Sequence, residues 1–476
     1  MAGTVAAVDL GATSGRVIHA RVGSRTLEMH TVARFDNAPV AHTVEGRPEL
    51  HWDINELFRS TVKGLAMITR DDPELSSIGI DTWAIDYGLL NNNQLMALPH
   101  HYRDTRTATV IDLVHALISP DELYRQSGVQ FLPFTTIYQL AADRESGALE
   151  EADRVVLIPD LMVFLLTGEI RCERTNASTT GLLTAEGTWN HALLERLDFP
   201  ARLFAPLVDP GDPIGQLSAE HARFFNDARP LVTAVGSHDT ASAVVAIPMD
   251  PERAAYISCG TWALVGVELE DRVLTEASRA ANFTNERGVD GRNRYLRNVM
   301  GLWLLSESLR CWKQQGHALS LSDLLGAATT LPMPTSLFDV DDPCFLEPGD
   351  IPQRIVKWFT ERDLPAPSTQ AETVRVIIES LAEAFARTVH RASELSGLTL
   401  DTIHIVGGGA LNELLCAATA RRSGLPVLAG PVEATALGNA LVQARAQGLI
   451  TGDLATLRAL VRAQFPSVLH EPRAGR

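Results

Sequence analysis

Asp239 stands in Val235-Gly236-Ser237-His238-Asp239-Thr240-Ala241-Ser242-Ala243-Val244, directly after the apolar run Leu231-Val232-Thr233-Ala234. A short apolar run reads as a buried strand, so this carboxylate falls where a strand ends and a helix begins. Its small neighbours leave space beside it. Two roles fit the position: an N-cap accepting the first amides of the helix, or a general base open to a substrate hydroxyl. A second acid, Asp9, closes the apolar stretch that starts at Val5 and precedes Gly11-Ala12-Thr13-Ser14-Gly15-Arg16. Glycine-bearing turns recur at Cys259-Gly260-Thr261 and Gly407-Gly408-Gly409. Glycine lets backbone amides approach an anion closely, and hydroxyls add donors. Phosphate is the natural guest of such turns, although each one taken alone is equally a plain connection between strands.

The familiar nucleotide motifs are missing. The chain has three lysines, Lys63, Lys313 and Lys357, and none lies in a G-x-x-x-x-G-K-[ST] loop. Gly407-Gly408-Gly409-Ala410-Leu411-Asn412 lacks the last glycine of a dinucleotide fingerprint. Five scattered cysteines contain no C-x-x-C pair, which suggests neither a zinc site nor a disulfide framework. A net charge of -17 argues against nucleic acid and anionic lipid as partners. No segment has the ~18 apolar residues of a membrane helix, and the N-terminus has no signal-peptide pattern. These features point to a cytoplasmic globular protein.

The elements that position these residues alternate between strand and helix. Val5–Val8, Val17–Ala20 and Leu27–Val32 read as antiparallel strands around the first glycine turn. Asp53 opens a helix to about Met67, with Glu56 reaching back to complete a capping box. Ile78–Ile80 and Ile85–Leu90 read as further strands, and Pro159 starts a helix that Gly168 ends. Glu372–Leu395 carries an apolar face and stops at Gly397. Ile403–Val406 is a strand, Asn412–Arg422 a helix, Pro426–Ala429 a strand and Ala434–Gln447 a helix. AAVDLGATSGRVIHA from Ala6 echoes AAYISCGTWALVGVE from Ala254, so the chain reads as two copies of one α/β unit. The expected division is 1–246 and 247–476, near the prolines of Ile247-Pro248-Met249-Asp250-Pro251.

Here the sequence resembles a known family over nearly its full length. Asp9–Arg16 is similar to the first phosphate loop of the FGGY sugar kinases. The branch acting on L-rhamnulose is matched by Gly79–Trp83, Tyr102–Arg106, Ser127–Pro133, Ser237–Thr240, Asn298–Trp303 and Ala429–Ala434. The resemblance implies two duplicated actin-like (ribonuclease-H-like) ATPase lobes with a cleft between them. It implies that the first lobe binds sugar and the second nucleotide, and that MgATP phosphorylates the 1-hydroxyl of L-rhamnulose. Asp239 would be the base. Ala12, Thr13, Ser14, Gly15, Arg16, Thr261 and Gly408 would hold ATP, and Asp9 would hold Mg²⁺ through water. Ala84, His238, Thr240 and Asn298 would contact the ketose, with Ala84 standing where that branch usually carries glycine. Arg103, Asp104 and Arg106 read either as cleft lining or as an ion network, and Trp83 and Trp303 as packing. The remaining alternatives are another ketose kinase of the family, acting on L-fuculose or xylulose, and a non-catalytic sugar sensor.

Overall fold

Apolar β-branched runs broken by glycine turns build the two largest sheets. The computed structural model describes residues 2–44, 46–316 and 320–472. It divides into two compact units: Met1–Pro248 with Leu269–Tyr295 and Ala434–Gln464, and Met249–Glu268 with Leu296–Glu433 and Phe465–Arg476.

The strands of the first unit are β1 (Gly3–Leu10), β2 (Ser14–Gly23), β3 (Thr26–Asp36), β4 (Ser77–Thr82), β5 (Pro213–Gln216) and β6 (Leu231–Thr233). They lie in the order β5-β6-β4-β1-β2-β3. β1 is antiparallel to β2 and parallel to β4, and β6 is parallel to β4. Strand β4 is buried along its whole length, as expected of a central strand in a sheet covered on both faces. A separate cluster from Tyr87 to Ala205, built on Leu140, Leu157, Leu182 and Leu197, forms a second core in this unit.

The second unit repeats this plan. Its strands are β7 (Ala254–Cys259), β8 (Trp262–Leu269), β9 (Asn293–Met300), β10 (Thr402–Val406), β11 (Val427–Ala429) and β12 (Val468–His470). Their order is β12-β11-β10-β7-β8-β9, with the chain passing from the first unit to the second inside β9. β7 is antiparallel to β8 and parallel to β10, and β11 is parallel to β10. The echo between Ala6 and Ala254 is thus a repeated hairpin.

Local signals act as expected, with three differences. Asp53 caps the helix Ile54–Asp71 by accepting from Glu56 N at 3.0 Å. The Glu56 side chain does not reach back: it holds Ser60 and Arg59 one turn on. The strand expected from Ile85 begins at Tyr87, because Ile85 adopts φ 68, outside the β region. The third difference concerns Ala434–Ala446, which folds with the first unit although it follows residue 247 in sequence. Small residues explain this. A Cβ at Gly438 would lie 1.7 Å from Ser242 O, and one at Gly79 would lie 2.6 Å from Asn439 Oδ1. Only bare backbone permits that approach. Among the described residues no helix is long and apolar enough to cross a membrane.

Candidate active site

Three aspartates meet at one end of the first unit's sheet. The register sets Asp9 opposite Asp81 on parallel β4 and opposite Arg16 on antiparallel β2. Opposed residues of paired strands project to the same face, and Arg16 Nε lies 3.3 Å from Asp9 Oδ2. Thr82 N donates to Ser237 O at 2.9 Å and Trp83 N to Leu10 O at 3.2 Å. Those two bonds bring the turn before Asp239 onto the sheet end that carries Asp9 and Asp81. Asp81 is fully buried. Its Oδ2 accepts from the Asn439 amide, and its Oδ1 has no hydrogen-bond partner among the described residues. Burial raises its pKa well above the carboxylate range, and the charges of Asp9 and Asp239 add to the rise. The sequence assigned Asp81 and Asn439 no role.

Asp239 is the first residue of the helix Asp239–Val245; the cap position is His238, without a side-chain cap bond. Asp239 is therefore not a helix cap. Its Oδ1 accepts from Thr240 Oγ1 at 3.0 Å, and its side chain is 29% exposed, which suits a group that must meet a substrate. The turn beneath it is held by buried Glu173, which accepts from Ser237 N at 3.0 Å and Ser237 Oγ at 2.6 Å. Gly236 is required by close approach, since a Cβ there would lie 2.9 Å from Ser242 N.

Beyond β4 the chain makes a tight turn through Ala84, whose carbonyl accepts from Asp86 N at 2.9 Å. Ile85 at its apex holds φ 68, and Thr136 Oγ1 donates to its carbonyl at 2.7 Å. Asp86 accepts from Trp52 Nε1 at 2.7 Å, Gln139 Nε2 at 2.8 Å, Trp83 Nε1 at 3.0 Å and Tyr102 N at 3.2 Å. Burial nevertheless pushes its carboxyl up to about 6. Trp83 packs on Trp52 at 4.0 Å between ring centroids. Arg106 pairs with Asp143 and reaches Gln139, while Asp104 caps Arg106 N and holds Leu50 N, each at 2.8 Å. Asp104 and Arg106 thus belong to a structural network. Glu49, His51 and His100 bring possible ligand atoms within 4.8 Å of one another. Both His51 nitrogens already face oxygen, Leu98 O at 2.9 Å and Glu49 Oε2 at 3.1 Å.

The first glycine turn is braced by Asn37: its N donates to Thr13 O at 3.0 Å and its Nδ2 to Gly11 O at 2.8 Å. Gly11 N takes Ser14 O at 2.9 Å. In the second unit, Leu302 N donates to Gly260 O at 2.9 Å and Trp303 N to Thr261 O at 3.2 Å. Carbonyl oxygens repel phosphate, so both turns have tied back the groups that would oppose it. The glycines differ in what requires them. Gly15 is needed against Phe35, with a Cβ 2.2 Å from its ring, and Gly409 against Cys259 Sγ at 2.5 Å. Gly408 and Gly260 are exposed. A Cβ at Gly408 would meet nothing nearer than 3.8 Å, and one at Gly260 nothing nearer than 3.9 Å. Among the described residues, nothing in the packing demands glycine at these two positions. Cys259 O approaches both Gly407 and Gly408, so Thr261 and Gly408 belong to one constellation at the end of β7 and β10. Asn298 lies near the end of β9, two residues before Met300, whose N donates to Asp341 Oδ1 at 3.0 Å.

Comparison with known proteins adds three findings. Residues 4–246 match the N-terminal domain, and residues 255–447 the C-terminal domain, of the FGGY family of carbohydrate kinases. A rhamnulokinase of Pectobacterium atrosepticum is 40% identical, covering 99% of this chain and 93% of its own. One from Bacteroides thetaiotaomicron is 37% identical, covering 98% and 95%. Among solved structures, a ligand-bound xylulose kinase from Lactobacillus acidophilus has a TM-score of 0.77 at 15% identity, covering 99% of this chain and 94% of that one. Plasmodium falciparum glycerol kinase with ADP has a TM-score of 0.75 at 13% identity, covering 98% and 94%. At such identities the likeness concerns the fold, a two-domain α/β architecture.

Proposed function

The chain belongs to the FGGY family of carbohydrate kinases, and from that premise we propose that it transfers the γ-phosphoryl group of MgATP to the 1-hydroxyl of L-rhamnulose. The products are L-rhamnulose 1-phosphate and ADP, in the catabolism of L-rhamnose. Phosphoryl transfer needs positioned phosphates, neutralised charge and a base for the nucleophile. Asp239 is the base. The hydroxyl proton passes to its carboxylate while the sugar oxygen bonds to the γ-phosphorus. The bond from phosphorus to the bridging oxygen breaks, and its electron pair leaves with ADP.

Ala12, Thr13, Ser14, Gly15 and Arg16 bind the ATP phosphates, together with Thr261 and Gly408. Ala84, His238, Thr240 and Asn298 hold the ketose. In this reading residues 1–246 supply the sugar contacts and the first phosphate loop, and residues 247–476 the remaining nucleotide contacts. Asp9 would hold Mg²⁺ through water. The residues suit a hard cation that takes oxygen ligands: Asp9 stands opposite Asp81, which offers a buried oxygen with no hydrogen-bond partner among the described residues. When bound, the ion neutralises charge on the transferring phosphates. A cytoplasmic location goes with a reaction that draws on MgATP.

One observation carries the chemistry: three aspartates converge on one sheet end, and the only one with an open approach, Asp239, begins a helix there. Near-full-length identity to proteins named rhamnulokinase supports the choice of sugar. The test is ADP release with MgATP across L-rhamnulose, L-fuculose, L-xylulose, D-ribulose and glycerol. A clear preference for L-rhamnulose is expected. Preference for another ketose leaves a kinase of different substrate and makes Ala84 the first position to examine.

A further inference from the structure

His238 precedes the base and is itself buried, and its two ring nitrogens face different partners. Nδ1 lies 3.0 Å from Arg294 Nη2 and 3.4 Å from Glu286 Oε2. Nε2 lies 3.4 Å from Asp239 Oδ1. Arginine offers donors only and keeps its charge in proteins. Glu286 Oε2 has no hydrogen-bond partner among the described residues, so the hydrogen bond at Nδ1 is the one from Arg294, and Nδ1 presents a lone pair. In the neutral ring the proton then resides on Nε2, the nitrogen turned toward Asp239.

Arg294 has no freedom to turn away. It is fully buried, its Nε donates to Arg287 O at 3.1 Å, and its Nη2 lies 3.1 Å from Glu286 Oε2. Glu286 is buried as well. Burial opposes its ionisation, yet its pKa lies below the ordinary value, the charge of Arg294 being the largest lowering cause. The pair thus keeps a buried cation compensated while one of its N–H groups is aimed at the histidine. On the far side, Asp239 Oδ1 also receives Thr240 Oγ1 at 3.0 Å. The Thr240 hydrogen bond and the longer contact from Nε2 converge on Oδ1, whereas Oδ2 has neither among the described residues.

We infer that Arg294 and Glu286 are positioning residues for phosphoryl transfer: they fix His238 in its Nε2–H form, which orients Asp239 so that Oδ2 receives the substrate proton. This rests on the reading of Asp239 as the base and adds a reason for it. A ring held with Nδ1 occupied by Arg294 and Nε2 protonated has no free nitrogen for a substrate proton. Of the two adjacent groups that could serve as base, only the carboxylate is left.

The test is a ¹⁵N spectrum of the full-length protein labelled at histidine, without substrate, His238 being assigned by its absence from His238→Gln. Nδ1 is expected as an unprotonated, pyridine-type nitrogen and Nε2 as a protonated, pyrrole-type one. Protonated Nδ1, in either a neutral or a charged ring, overturns the inference. Kinetics on Arg294→Met and Arg294→Lys supply the second arm, using whichever sugar releases ADP. Arg294→Met should lower kcat on the order of 10–10²-fold, the usual effect of removing a supporting hydrogen-bond partner, with KM for MgATP unchanged. Arg294→Lys, which keeps a donor, should recover most of the loss. Unchanged kcat in the Met variant overturns the positioning role. If that variant does not fold, the wild-type spectrum still decides. Because the spectrum needs no sugar, it tests the ring's protonation even where the choice of substrate is wrong.

Discussion

The hairpin β1–β2 with its parallel neighbour β4 and the hairpin β7–β8 with its neighbour β10 are the same construction built twice, yet they end in opposite chemistry. In the first unit the paired strand ends carry Asp9 and Asp81, with Arg16 across the hairpin. In the second unit the corresponding pair is Ser258 and Val406, followed by Cys259 and Gly407. One copy gathers negative charge at its sheet end. The other presents neutral backbone, small residues and a hydroxyl. A duplicated fold therefore does not imply duplicated function: the sheet supplies a place, and the residues near the end of each strand decide what happens there. For a kinase the difference is useful, because metal and base need carboxylates while phosphate needs their absence.

The sharpest way to break this contrast is to neutralise the proposed base. Asp239→Asn keeps size and helix position and should lower kcat by ~10²–10⁴-fold, the range for loss of a general base, as read by ADP release at saturating sugar. Retained activity would mean that the carboxylate end of the first unit is not where chemistry occurs.

A second prediction concerns Asp86, in the turn beyond the end of β4. Its folded pKa of about 6 lies above the unfolded value. Its favourable contribution is therefore present below the unfolded pKa and is lost as pH rises through about 6. The shift corresponds to roughly 3 kcal/mol. Denaturant unfolding of wild type and Asp86→Asn between pH 4 and 8 should show wild type losing stability relative to the variant across that window. The indole emission of Trp52 and Trp83 should change with the same midpoint.

Asp81→Asn tests the contrast from the side of stability. The raised pKa of Asp81 has the same sign, so its carboxylate weighs against folding at neutral pH. The variant should be more stable at pH 8 by about 1–3 kcal/mol, the usual range for a buried unsatisfied polar group. The gain should fade toward acid, and MgATP turnover should fall. Greater stability with lost activity would mark Asp81 as a functional residue that the fold tolerates.

The smallest effect separates two adjacent glycines. Gly408→Ala should leave the unfolding midpoint unchanged, because 3.8 Å of room surrounds the new methyl, while ATP binds about tenfold more weakly, or 1.4 kcal/mol. Gly409→Ala should instead lose about 1–3 kcal/mol of stability through overpacking against Cys259. Equal behaviour of the two variants would remove Gly408 from the nucleotide site.

Much of this was legible in the sequence where local chemistry sets local structure. The glycine hairpins, the Asp53 cap, the helix stops at Gly168 and Gly397 and the placement of Asp239 all depend on a few adjacent residues. What escaped depends on contacts between distant segments. Asp81 ends an apolar run just as Asp9 does, but its meaning comes only from the parallel register that brings β4 beside β1. Asn439 and Gly438 look like ordinary helix residues until Gly79 and Ser242 are placed against them. Arg294 and Glu286 lie in no motif, and only the fold brings them to His238. Glu56 shows the converse: the capping-box spacing was present, but Arg59 and Ser60 compete for the same carboxylate.

The turn at Ile85 has a consequence for how this chain tolerates change. A β-branched residue at φ 68 carries about 1–3 kcal/mol of backbone strain, held in place by the bond from Thr136 to its carbonyl. Ordinarily glycine is among the poorest replacements for isoleucine. In a saturation library sorted for folded protein, position 85 should invert that ranking, with glycine, asparagine and aspartate enriched over valine. The same library sorted for turnover should restore isoleucine, because a relaxed peptide would release the segment that carries Ala84. A residue favoured by one sort and rejected by the other identifies a place where the chain has been shaped against its own comfort.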